Sequence, residues 1–117
     1  MSVLKGDEKA LINKGNGKLL KTDQDSKIFV FFTDHGAVGL LGFPNGMLFA
    51  DDLMKTLNYM NENKRYKKLV FYVEACEAGS MFEGLLPPNI DVYALTASNA
   101  HESSFGTYCY PDDIING

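Results

Sequence analysis

Cysteine is scarce in this chain. Cys76 and Cys109 are the two in 117 residues, too few for a disulfide scaffold, and no Cys/His cluster has the spacing that holds zinc. A cystine-stapled or metal-held miniature fold is therefore excluded, and no metal site is expected. Long apolar runs are also missing, since nothing approaches the roughly 18 residues of a membrane span. The opening Met-Ser-Val-Leu-Lys-Gly-Asp-Glu-Lys is charged almost at once and lacks the apolar centre of a signal peptide. The chain is thus expected to be soluble, off the membrane and without an export signal of its own. No Asn-x-Ser/Thr sequon occurs. Positive charge is in deficit: 11 Lys and Arg stand against 15 Asp and Glu, for a net charge of −4. That speaks against nucleic acid as a partner, because phosphate binding needs a basic surface.

What is present resembles one small globular domain. Hydrophobic residues make up 45% and charged residues 22%, close to globular averages. Residues 3–27 interleave six lysines with Asp7, Glu8, Asp23 and Asp25 around Gly15-Asn16-Gly17, and read as a surface connection. Leu11 and Ile12 fit a helical turn within it. Ile28 to Thr33 is a continuous apolar, β-branched and aromatic run without alternation. Strands covered on both faces of a parallel sheet look like this. Residues 37–46 hold Gly39, Gly42, Gly46 and Pro44 and read as a loop with a short hairpin through Leu40 and Leu41.

A helix is expected over 51–63, with Asp51 or Asp52 as its cap and Leu53, Leu57 and Met60 on one apolar stripe. Lys64, Arg65, Lys67 and Lys68 suit its negative C-terminal end. Further strands are expected at 69–73 and 92–96, with a short helix between Gly79 and Leu86. Strand, helix, strand, short helix, strand is a βαβ pattern, which is right-handed and parallel. The fold class is α/β. Three parallel strands leave unpaired edges and apolar faces, so the chain reads as the middle of a larger doubly wound domain.

Reactive residues of open parallel sheets gather at the carboxyl ends of the strands. Here those ends carry Asp34-His35-Gly36, Glu74-Ala75-Cys76, and Ser98-Asn99 followed by Glu102-Ser103-Ser104. If the first two strands are neighbours, His35 and Cys76 emerge at the same sheet edge, as a thiolate nucleophile and its proton donor require. Each residue alone has a plainer explanation. A cysteine after a strand is usually a small buried hydrophobe, and a histidine beside glycine usually bonds a loop. The two together carry the catalytic reading.

The words around these residues are more specific. Phe-Phe-Thr-Asp-His-Gly at 31–36, Tyr-Val-Glu-Ala-Cys-Glu-Ala-Gly-Ser-Met at 72–81 and Thr-Ala-Ser-Asn-Ala-His-Glu-Ser-Ser-Phe-Gly-Thr-Tyr-Cys at 96–109 closely resemble the legumain family. These are the asparaginyl endopeptidases, known in plants as vacuolar processing enzymes. Gly-Lys-Leu-Leu-Lys at 17–21 and Asn58-Tyr59-Met60 extend the resemblance, and the ending through Cys109 is similar to the plant and protist branch. The resemblance implies the central part of a caspase-like, doubly wound, mainly parallel sheet, with residues 28–110 as a segment of a peptidase catalytic core.

It also implies roles. Cys76 would be the nucleophile and His35 the general acid, with backbone N–H groups of Gly36 and Cys76 as the oxyanion hole. Glu74 would form the floor of the S1 pocket for an asparagine side chain, and Ser103 with Ser104 its wall. For Glu74 the alternative is a structural carboxylate tied to backbone. Asp34 matches a family aspartate able to cyclise to a succinimide, and a strand-end hydrogen bonder is the alternative. Glu77 is expected at most to orient its loop, and His101 to be solvated. Cys109 resembles a half-cystine whose partner lies further downstream, and a Cys76–Cys109 bond is not expected.

The implied activity is cysteine-type hydrolysis of proteins and peptides after Asn, and after Asp at acidic pH, without cofactor, in a vacuole or lysosome. The family's upstream asparagine and arginine and its downstream aspartate are not found in the chain, so it reads as a partial domain. A non-catalytic remnant is therefore the alternative. The catalytic subunit of the glycosylphosphatidylinositol transamidase shares the dyad. It resembles Asp-Thr-Cys-Gln where this chain has Glu74-Ala75-Cys76-Glu77, and it lacks the Glu-Ser-Ser block. Caspase-like enzymes need a basic pocket that Glu74 does not offer.

Overall fold

The computed structural model describes residues 1–12 and 16–106. Three strands form a parallel sheet in the order β1 (Lys27–Thr33), β5 (Lys68–Glu74), β6 (Val92–Thr96). Between β1 and β5 lie a three-stranded antiparallel meander and one long helix. The meander consists of β2 (Gly36–Ala37), β3 (Leu40–Phe43) and β4 (Gly46–Phe49), and the helix is α2 (Ala50–Glu62). A one-turn helix α1 (Ser2–Lys5) begins the chain, and a 3₁₀ turn at Lys9–Leu11 follows it. The mixed α/β architecture with a mainly parallel sheet agrees with the expected fold class. Among the described residues no helix is long and apolar enough to cross a membrane.

The strands form where β-branched and aromatic residues are concentrated, and their register aligns the two reactive ends. Ile28 pairs with Leu69 and Thr33 with Glu74, while Leu69 pairs with Val92 and Val73 with Thr96. Successive residues of a strand point to opposite faces. Ile28, Leu69, Phe71 and Val73 are buried on one face, packed with Leu53, Leu57 and Met60 of α2. The other face leaves Phe29 63%, Phe31 60% and Tyr93 60% exposed. The unalternating sequence predicts cover on both faces. The described residues supply one layer only, because α2 is the one long helix among them.

Several local expectations change. The α2 cap is Phe49, in extended backbone and without a side-chain bond, and Asp51 and Asp52 lie in the first turn. There they complement the positive helix end instead of capping it. The basic run also lies beyond the helix. Asn63 ends it by donating from Nδ2 to the Tyr59 carbonyl at 2.8 Å, Lys64 turns the chain at φ 52, and Lys68 opens β5. Residues 37–46 do not form a loop with one hairpin. They belong to two hairpins, and Leu41 and Leu48 are buried in the main core. Gly39 makes the first turn at φ 73, a conformation that costs glycine little. The short helix expected near Gly79 is a 3₁₀ turn, Ala78–Met81. In the N-terminal segment, Leu4 and Leu20 pack against the core.

Tyr66 provides a stability test away from the reactive edge. It is buried and donates its hydroxyl to the Ile90 carbonyl at 2.6 Å, fastening the end of the α2 connection to the entry of β6. Burial, with the Asp91 carboxylate second, pushes its phenol from 10.0 up to about 12. The folded state therefore favours the neutral phenol. That contribution is whole below pH 10 and is lost as pH rises from there toward 12, because the unfolded chain ionises first. Tyr66→Phe is expected to cost about 1 kcal/mol at neutral pH and to flatten the alkaline decline. Urea midpoints measured across that range check both.

Candidate active site

The parallel register brings the ends of β1 and β5 side by side. The Asp34 N–H donates to the Glu74 carbonyl at 3.2 Å, carrying the ladder one residue past β1. Just beyond it, Asp34, His35, Glu74, Ala75, Cys76 and Ser104 line one open cleft of about 550 Å³. The sequence places His35 and Cys76 at a shared edge only on condition that their strands are neighbours, and they are.

Gly36 sits against the cysteine turn. A Cβ there would lie 2.5 Å from the Cys76 carbonyl oxygen and 3.0 Å from the Ala75 Cβ, so a close backbone approach requires glycine at this position. Its amide is also free of the meander ladder. Gly42 N–H donates to the His35 carbonyl at 2.8 Å, which marks 35 and 42 as a hydrogen-bonded pair. Bonded and non-bonded pairs alternate in antiparallel strands, so Gly36, opposite Leu41, directs its N–H away from β3. The Cys76 N–H has no acceptor among the described residues. Two uncommitted donors thus belong to residues whose backbones pack against each other, and one of them carries a half-buried free thiol. The Cys76 Sγ itself lies 3.9 Å from the Ser104 carbonyl oxygen.

The turn that carries Cys76 is clamped from three sides. Ser98, 4% exposed, donates its hydroxyl to the Ala75 carbonyl at 2.8 Å and accepts from the Ala78 N–H at 3.0 Å. Glu77 N–H donates to the Glu102 carbonyl at 2.8 Å, and Glu77 itself takes the left-handed conformation at φ 50. Ser80 donates to the Glu77 carbonyl at 2.5 Å and accepts from the Gly39 N–H at 2.8 Å. It thereby couples the histidine-bearing meander to the cysteine turn. Neither Ser80 nor the buried bonds of Ser98 were anticipated from the sequence. Both are ordinary serines in loop-like words, and only the fold gives them these contacts.

The Ser-Asn-x-x-Glu word has a structural basis. Asn99 Oδ1 accepts from the His101 N–H at 2.8 Å, and Glu102 Oε1 accepts from the Asn99 N–H at 2.9 Å, closing the turn after β6. His101 is exposed on it, as expected. This closed turn delivers Ser104, whose hydroxyl donates to Glu74 Oε1. Thr33 donates to the other carboxylate oxygen, Oε2, at 3.1 Å. Glu74 is thus held by two side chains and not by backbone, and Thr33 is a partner the sequence reading missed. Ser103 is exposed and does not line the cleft. Asp34 Oδ1 accepts from the His35 N–H at 2.8 Å, the geometry of a strand-end hydrogen bonder. Cys109 lies outside the described residues.

Comparison with known proteins gives the family. Residues 1–116 match the model of the Peptidase C13 family. Legumain of Rattus norvegicus is 55% identical over 113 residues, covering 97% of this chain and 25% of that protein. Hemoglobinase of Schistosoma japonicum is 50% identical over 109 residues, covering 93% of this chain and 25% of that protein. The vacuolar-processing enzyme delta-isozyme of Arabidopsis thaliana is 48% identical over 109 residues, covering 92% and 23%. Identity is thus higher to the rat protein than to the plant one, despite the plant-like ending. The chain spans about a quarter of the length of these curated relatives. A match running from the first helix through all three strand ends, over a cleft shared by His35 and Cys76, makes this chain a member of the peptidase C13 family, similar to legumain.

Proposed function

We propose that this chain carries the dyad and part of the S1 pocket of an asparaginyl cysteine endopeptidase, with residues 28–110 as a segment of its catalytic core. One observation carries the reading. The Glu74–Ser104 pair lies in the same cleft as His35 and Cys76, so a side-chain selector adjoins a candidate nucleophile and acid. In the proposed reaction the Cys76 thiolate adds to the carbonyl carbon of the scissile peptide. The resulting oxyanion is bound by the Gly36 and Cys76 N–H groups. His35 protonates the leaving amine, the C–N bond breaks and a thioester remains. Water then adds to the thioester carbonyl, and the thiol departs.

Asparagine fits this pocket because its amide supplies donors to Glu74 and an acceptor for a hydroxyl. A side chain without them offers Glu74 and Ser104 no partner in the complex. Aspartate is ionised near neutral pH and repels Glu74; protonated at acidic pH, it regains a donor. An acidic vacuolar or lysosomal compartment suits such a preference, and the name of the plant relative, a vacuolar-processing enzyme, supports a vacuolar placement. The His35 N–H held against Asp34 Oδ1 supports succinimide formation, in which that nitrogen would close on Asp34 Cγ with loss of water.

A panel of peptides differing only at the residue before the scissile bond tests the pocket. The intact protein is expected to prefer Asn, with Asp gaining on it as pH falls. Glu74→Ala is expected to lower kcat/KM on the Asn peptide about 100-fold, or about 2.7 kcal/mol, without unfolding the chain. Equal rates across the panel would refute the assignment of Glu74.

A further inference from the structure

We propose that Thr33 is a positioning residue that sets the Glu74 carboxylate for the incoming side-chain amide; this rests on the asparaginyl reading above. Thr33 and Glu74 are direct partners in the β1–β5 register. Each ends its strand, on the sheet face away from α2. Thr33 Oγ1 donates to Glu74 Oε2 at 3.1 Å, and the Ser104 hydroxyl donates to Oε1. Both oxygens of the selector are therefore occupied before any substrate arrives.

The two partners differ in kind. Thr33 is β-branched, and so stiff at χ1, and the ladder continues through Asp34 N–H to the Glu74 carbonyl at 3.2 Å. Ser104 lies in irregular chain after the turn at 98–102. An entering amide can displace the Ser104 hydroxyl from Oε1 and take that acceptor. Thr33 meanwhile keeps Oε2 and fixes the carboxylate plane, which is otherwise loosely held because the terminal torsion of glutamate is broad. Thr33 does not line the cleft; it acts through Glu74. The sequence reading gave it no role, because its partner is 41 positions away and only the register joins them.

The test compares Thr33→Val, which keeps shape and loses the donor, with Thr33→Ser, which keeps the donor. In the intact protein, Thr33→Val is expected to raise KM for an Asn peptide about tenfold, with kcat within about twofold, the signature of lost binding held equally in ground and transition states. Thr33→Ser is expected to stay within about twofold of the parent in both constants. Alkylation of Cys76 by iodoacetamide is expected to proceed at one rate in all three. A parent that turns over Asn peptides alongside a Thr33→Val variant of unchanged KM overturns this proposal alone. So does Thr33→Ser failing as badly as Thr33→Val, because the hydroxyl donor would then not be what sustains binding. A parent without Asn-directed turnover overturns the function and this proposal together.

Discussion

Cys76→Ala is expected to abolish peptide hydrolysis, with a loss of at least about 10³-fold in kcat/KM, because among the described residues no other thiol can form the thioester. His35→Ala is expected to lose about 10²- to 10⁴-fold, the range of a positioned general acid. Neither change should threaten the fold. The Cys76 thiol is half-buried, and its one hydrogen-bond contact among the described residues is the weak 3.9 Å approach to the Ser104 carbonyl, so the cost in stability is expected to stay below about 1 kcal/mol. Rates set beside urea midpoints separate the two effects. A Cys76→Ala variant with parental turnover would place the chemistry elsewhere.

Gly36→Ala is the second large effect, and it arises from backbone alone. The new methyl would lie 2.5 Å from the Cys76 carbonyl oxygen, nearer than any real contact allows. The obstacle is backbone in a turn that Ser98 and Ser80 tie down through Ala75, Glu77 and Ala78, so it cannot yield without moving the cysteine turn. Overpacking of this kind costs about 1–3 kcal/mol. Here it also separates the two candidate oxyanion donors, and a loss of at least about 100-fold in kcat/KM is expected. Slower alkylation of Cys76 should accompany it. Parental activity in Gly36→Ala would mean that the close approach has no part in the reaction.

The legible and illegible parts of this chain divide on physical grounds. β1, β5 and β6 are dense in β-branched and aromatic residues, and their expected limits hold to within a residue at each end. α2 announces itself through Leu53, Leu57 and Met60, all fully buried. His35 and Cys76 could be placed at strand ends because parallel sheets put chemistry there. The meander was hidden because strands of two and four residues are too short for alternation to register. Its glycines and Pro44 read as loop, although Leu41 and Leu48 reach the core. The cap of α2 misled in another way. Aspartate favours both the cap and the first turn, and the meander ends at Phe49, which makes the cap two residues ahead of Asp51. Thr33, Ser80 and the buried bonds of Ser98 escaped notice because the partners are set by register and by turns that no local pattern encodes.

Covalent labelling at Cys76 tests the central claim most directly. The intact protein would be incubated at mildly acidic pH with a peptidyl electrophile bearing asparagine at the reacting position, and its mass read. The account predicts one adduct per chain, mapped to Cys76, lost in Cys76→Ala and after heat unfolding, and far slower with alanine in place of asparagine. A folded protein that stays unmodified, or one labelled equally by both probes, would contradict it.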